Sequence, residues 1–103
     1  MDKTDALNIV KKYAEIVRYS FGYQKIILFG SYAKDNARKD SDIDIAIIFS
    51  DYDNRFERQV ELMKLTRQID TRIEPHPFRE KDFIYSHPLV NEIVCSGMEV
   101  ETI

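Results

Sequence analysis

The residues best suited to chemistry lie in one short stretch: Gly30 and Ser31, then, after ten intervening residues, Asp42 and Asp44 on either side of Ile43. Side chains alternate across a strand, so Asp42 and Asp44 project from one face with about 7 Å between their α-carbons. Two carboxylates side by side at a strand end repel each other and gain nothing as solvated decoration. From Ile43 to Phe49 every residue except Asp44 is apolar, which predicts a strand buried on both faces. Such a strand with two acids on one face calls for a cation to hold them.

The elements that must position these residues follow from periodicity and punctuation. Thr4 is the expected N-cap of a first helix whose buried face is Ile9, Tyr13, Ile16 and Val17, with Gly22 as its stop. Residues 24–29 form a first strand ending at the Gly30–Ser31 turn, residues 31–38 one or two helical turns, and residues 41–49 a second strand. Asp51 or Asp53 caps a helix over 54–69, with Phe56, Val60, Met63 and Ile69 as its apolar stripe. Its charged side chains, Arg55, Glu57, Arg58, Glu61, Lys64 and Arg67, form a solvated face.

A third strand is expected over 71–78. Pro75 and Pro77 remove ladder donors, so beyond Glu74 it is either short or at a sheet edge. Pro88 opens a helix over 88–96 that Gly97 closes, and Met98–Ile103 alternates as a last edge strand. The order predicts an α/β (α+β) fold: a mixed sheet of about four strands with helices packed on it, one domain over residues 1–103.

Composition sets the bounds. The chain is 44% hydrophobic and 32% charged, within the globular range. Its apolar runs are too short for a transmembrane helix, and the charged N-terminal stretch does not read as a signal peptide. The single cysteine, Cys95, forms no internal disulfide, which agrees with a cytoplasmic location. A formal charge of −3 argues against a broad nucleic-acid surface but leaves local nucleotide binding open.

Gly30–Ser31, ten residues, then Asp42-Ile43-Asp44 resembles the signature of the nucleotidyltransferase superfamily related to DNA polymerase β. The short chain points within it to the minimal nucleotidyltransferase (MNT) family. The resemblance covers residues 26–49 in detail, with Glu74 as a third element, and elsewhere only in element order. It implies that the Gly30 backbone and Ser31 hold the phosphates of a nucleoside triphosphate, ATP being the expected one. It implies that Asp42 and Asp44 bind Mg²⁺, two ions in all, and that Glu74 completes the acceptor-side ion as a third catalytic carboxylate. Asp70 is the rival for that third position, but it falls at a helix end. Where the family often has glycine, this chain has Asp35, a residue that tolerates left-handed backbone but adds an acid near the phosphates. Lys34 and Arg38 offset it, with Lys34 the cofactor-binding candidate.

The same resemblance implies an antitoxin that adenylylates a HEPN-family toxin. Two alternatives stand beside it: an antitoxin that neutralises by sequestration, and a transferase acting on RNA ends or a small molecule. Homo-oligomerisation is left open. The remaining residue types read as structural. His76 and His87 each sit beside proline without a ligand-spaced partner and read as loop or surface histidines. Cys95 reads as a small core residue. Tyr13, Tyr19, Phe21, Tyr23 and the group Phe78, Phe83, Ile84, Tyr85 read as core or docking positions rather than base-stacking ones.

Overall fold

A computed structural model describes residues 1–100. The first helix, α1 (Lys3–Ser20), starts two residues earlier than expected because Asp2, not Thr4, caps it. Asp2 Oδ1 accepts from Asp5 N at 2.9 Å and Asp5 Oδ2 accepts from Asp2 N at 3.2 Å, a reciprocal capping box. Gly22, at φ +71°, ends the helix as expected.

Four strands follow: β1 (Lys25–Phe29), β2 (Ile43–Phe49), β3 (Ile73–Arg79) and β4 (Met98–Glu99). They form one mixed sheet in the order β3-β2-β1-β4. β1 runs antiparallel to β2 and to β4, whereas β2 and β3 are parallel. Parallel neighbours need a crossover, which α2 (Arg55–Thr66) provides. The expected final strand is seen at Met98–Glu99, and the rest of that expectation, residues 101–103, lies outside the described residues.

β3 is the edge strand that the prolines required, yet it runs for seven residues. In a strand the N–H and C=O of one residue point to the same side. The Pro75 carbonyl accepts from Gln59 Nε2 at 2.7 Å and the Pro77 carbonyl from Tyr52 Oη at 3.2 Å. Both prolines therefore place their missing donors on the open edge, where no ladder bond is lost. The two side chains also cover that edge against pairing.

The alternation along β1 and β2 splits the core in two. Ile26, Leu28, Ile43, Ile45 and Ile47 face α1 and α2, packing on Val10, Tyr13, Val17 and Leu62. Ile27, Phe29, Ala46 and Ile48 face the last helix, α3 (Pro88–Ser96), through Val90 and Ile93. As expected, Pro88 opens α3 and Gly97 follows it; His87, expected as a loop or surface residue, caps it through Nδ1, which accepts from Leu89 N at 3.2 Å.

Three expectations are corrected. In α2 the inward residues are Leu62 and Thr66, with Leu65 packed beside them, and Phe56 and Met63 are 75% and 41% exposed. The sequence holds two competing phases, and Arg58 hides the true one by looking like a surface charge. Its guanidinium carbon lies 4.3 Å from the Phe21 ring centroid and 4.7 Å from that of Phe49, so a cation sits where an apolar residue would be expected. The cap of α2 is Asn54, not an aspartate. Cys95 is exposed, because α3 packs on the sheet through Leu89, Val90 and Ile93.

Candidate active site

Three strand ends meet at one corner of the sheet. Phe29, the last residue of β1, pairs with Asp44, the second of β2, and Asp44 in turn pairs with Glu74, the second of β3. Paired residues on neighbouring strands share a face and stand about 5 Å apart. The register alone therefore sets Asp44 and Glu74 side by side, on the α3 side of the sheet and beyond the apolar residues that α3 covers.

Gly30 follows Phe29 with φ +74°, a left-handed conformation that favours glycine. A Cβ there would lie 2.6 Å from Asp44 Oδ2, so glycine is required both for the backbone and for the close approach to the carboxylate. Ser31 comes next, half-buried. The expected helical turns over 31–38 are tight turns instead, closed by Lys34 N donating to Gly30 O at 3.1 Å and Asn36 N to Ser31 O at 3.0 Å.

Asp35 ends the turn at φ +58°, the left-handed position where the sequence expected aspartate to survive. Its carboxylate does not project its charge unopposed: Lys3 Nζ of α1 lies 3.0 Å from Oδ2. Lys34 Nζ is likewise paired, at 3.0 Å from Glu92 Oε1 of α3. Arg38 is exposed on the connection, where its backbone N–H donates to Ser41 Oγ at 2.7 Å.

The acids crowd one another. Burial pushes the Glu74 carboxyl above its usual range, a hydrogen bond with Asp42 and the charges of Asp44 and Asp42 push it further, and His76 partly opposes them. The structure thus brings Asp42, Asp44 and Glu74 to one place beside Gly30 and Ser31. Asp42 and Glu74 also share a cleft of about 360 Å³ with Gln59, Met63 and Thr71. Asp70 is elsewhere. Its carboxylate takes Arg72 Nε at 3.0 Å and Arg72 Nη2 at 2.6 Å and also accepts from Arg72 N, so it is consumed in shaping the turn into β3.

His76 is the residue that the sequence reading missed. It is neither in a loop nor on an open surface: it lies in β3, with its side chain 22% exposed. Nε2 is 3.4 Å from Asp44 Oδ1 and 3.9 Å from Glu74 Oε1. Part of the signal was local, since the two-residue spacing puts His76 on the same face of β3 as Glu74; only the register sets that face beside Asp44. The flanking prolines drew attention to a loop instead.

The donor set suits a divalent cation. One atom each from Asp44, Glu74 and His76 lie within 4.8 Å of one another, a grouping that could hold a metal ion. Crowded carboxylates that raise a pKa in the absence of a cation are relieved by one.

A mixed sheet with two acids at the start of β2, a third on the adjacent parallel strand and a Gly-Ser turn between β1 and β2 is the frame of a nucleotidyltransferase. The sequence pattern of the family "Polymerase beta, Nucleotidyltransferase" matches residues 8–98, and the chain belongs to that family. No curated protein matches it. Among solved structures, a protein from Sulfolobus solfataricus described as a nucleotidyltransferase is 28% identical, with 77% of this chain and 71% of that one covered and a TM-score of 0.60. A toxin–antitoxin complex solved with AMP-PNP is 25% identical over 94% of this chain and 73% of the other, again with a TM-score of 0.60. A complex of the MNT antitoxin with the tri-AMPylated Shewanella oneidensis HEPN toxin shares the fold, at 22% identity, coverage of 98% and 73%, and a TM-score of 0.55. Among the described residues no helix is long and apolar enough to cross a membrane.

Proposed function

We propose that this protein is an MNT-type antitoxin that transfers AMP from ATP to a hydroxyl group of a HEPN-family toxin, acting in the cytoplasm. The observation that carries the reading is the meeting of Asp42, Asp44 and Glu74 with the Gly30–Ser31 turn at one corner of the sheet. Family membership and the likeness to a toxin–antitoxin complex that holds an ATP analogue support it.

In this reading the Gly30–Ser31 turn holds the β- and γ-phosphates through backbone N–H groups and the Ser31 hydroxyl. Asp42, Asp44 and Glu74 would hold the Mg²⁺. Bound Mg²⁺ supplies charge neutralisation on the attacking and leaving oxygens. The acceptor oxygen attacks the α-phosphorus in line, its proton passes to Glu74 or to solvent, and pyrophosphate leaves. Lys34 meets the departing phosphates once it lets go of Glu92.

The test is incubation with α-labelled ATP, Mg²⁺ and a HEPN-family toxin. Label is expected on the partner, and it is expected to vanish with Asp42→Ala plus Asp44→Ala. Label that appears on RNA or a small molecule, with none on the partner, would overturn the acceptor assignment. If the double variant still neutralises the toxin, the protein acts by sequestration.

A further inference from the structure

His76 has a more specific role open to it than that of a neighbour to the acids. Its ring packs against Phe29, with centroids 5.2 Å apart and planes at 58°, and Phe29 is 4% exposed. Phe29 is also the β1 partner of Asp44 in the sheet register. The same buried residue that fixes the strand end therefore fixes the imidazole, with Nε2 turned toward Asp44 and Glu74 rather than toward solvent. Prolines on both sides in the sequence, Pro75 and Pro77, restrict the backbone that carries it. An octahedral ion at about 2.1 Å from its ligands spaces adjacent donors by about 3 Å and opposite ones by about 4 Å. The separations of 3.4 Å and 3.9 Å lie between those two values, so shifts of a few tenths of an ångström would turn the present His76–Asp44 hydrogen-bond contact into shared ligation.

We propose that His76 Nε2 is a direct ligand of the acceptor-side cation together with Asp44 and Glu74, and that this nitrogen makes the site prefer Mn²⁺ to Mg²⁺. The inference rests on the nucleotidyltransferase reading above and deepens it. The physical reason is ligand type. Mg²⁺ favours oxygen donors and keeps its waters, whereas Mn²⁺, the first and weakest binder of the transition-metal series, shares its preference for carboxylates but gains more from an added nitrogen. A site of carboxylates alone would separate the two ions weakly. One imidazole among them adds to Mn²⁺ and leaves Mg²⁺ almost unaffected. When Nε2 ligates, it carries no proton and the proton resides on Nδ1.

The chain contains two histidines, which makes the test direct. The other, His87, caps α3 through Nδ1 and, among the described residues, belongs to no cluster with the acids. Pulsed electron paramagnetic resonance on the full chain loaded with Mn²⁺ reads nitrogen bonded to the ion, and labelling of histidine with ¹⁵N identifies the nitrogen as imidazole. The wild type is expected to show this coupling, His87→Gln to keep it, and His76→Ala to lose it. In parallel, His76→Ala is expected to weaken Mn²⁺ binding at least about tenfold while changing Mg²⁺ binding less than about twofold.

Absence of directly bonded nitrogen in the wild-type protein overturns the proposal without any need for a variant that folds. If Mn²⁺ binding still depends on Asp44, tested with Asp44→Asn, the nucleotidyltransferase reading stands and only the role of His76 falls. Mn²⁺ binding that is indifferent to Asp44→Asn overturns both. Equal losses of Mn²⁺ and Mg²⁺ affinity in His76→Ala overturn the metal preference.

Discussion

Gly30 turns at φ +74° with its α-carbon pressed so close to Asp44 that a Cβ would come within 2.6 Å of the carboxylate Oδ2. Two constraints coincide there. The backbone conformation costs an L residue about 1–2 kcal/mol, and the contact would drive the Asp44 carboxylate from its place. Gly30→Ala is therefore expected to lower Tm by about 4–8 °C or more and to abolish adenylyl transfer beyond what the stability loss explains. A thermal melt and the labelled-ATP assay, both run well below the melting range, separate the two effects. Transfer at wild-type rate would mean that Asp44 tolerates the displacement and that the contact is incidental.

The acids of the site oppose folding when no cation is present. Glu74 is held above its ordinary value of 4.5 by burial, by Asp42 and by Asp44. A folded-state pKa above the unfolded one gives stability that is complete below pH 4.5 and is lost as pH rises through the raised value. At neutral pH the ionised Glu74 thus works against the fold. Its side chain is 45% exposed, so solvent screens much of the effect. Glu74→Gln is expected to raise Tm of the metal-free protein by about 1–3 °C at pH 7, with the gain fading toward pH 4. Divalent metal should then stabilise the wild type and not the variant. A variant that melts below the wild type at pH 7 without metal would contradict the crowding.

The split between what the sequence disclosed and what it concealed follows from how local each signal is. Asp42, Asp44 and Gly30–Ser31 were legible because alternation and spacing are properties of neighbours in the chain. The strand position of Glu74 and the helix-end position of Asp70 were legible too, since the two differ in pattern. The place of His76 depended on the parallel register that sets β3 against β2, Asp44 opposite Glu74 and Ala46 opposite His76, and a sequence does not print register. The inward face of α2 was masked for another reason. Arg58 takes a core position by stacking on aromatic rings, and Phe56 and Met63, the better apolar match, face outward.

Asp70 offers the contrasting carboxylate. Its bonds to Arg72 hold it below the ordinary value of 3.8. A lowered pKa gives stability that is present above the unfolded value and lost as pH falls through the lowered one. Asp70→Asn is expected to melt a few degrees below the wild type at neutral pH, the difference closing on acidification below pH 3.8. Adenylyl transfer should persist in the variant. Loss of transfer in a folded Asp70→Asn protein would return Asp70 to contention as the third acid.

Cys95 lies exposed on α3, with Sγ 3.5 Å from Asn91 Oδ1. The native protein is expected to react with one equivalent of an aromatic disulfide reagent at nearly the rate of the denatured chain. Neither melting nor transfer should change, because α3 packs through Val90 and Ile93 on its other side. Protection from the reagent in the native state would place the thiol in a contact made in solution.

Lys34, the cationic candidate of the turn, is already engaged by a carboxylate, Glu92 Oε1 at 3.0 Å. Both side chains are partly open to solvent, at 42% and 43% exposure, so the pair is screened and worth less than about 1 kcal/mol. If Lys34 binds triphosphate, that small attraction competes with the nucleotide. Glu92→Gln is then expected to tighten ATP binding by about two- to fivefold, and Lys34→Ala to weaken it while leaving metal binding intact. The two effects should not add: in Lys34→Ala the Glu92 substitution has no competing ion pair left to remove, so the double variant should bind ATP like Lys34→Ala alone. Titration calorimetry on the four proteins at low salt closes the cycle. Independent effects there would mean that Glu92 acts on the nucleotide through its own charge and that Lys34 never leaves it.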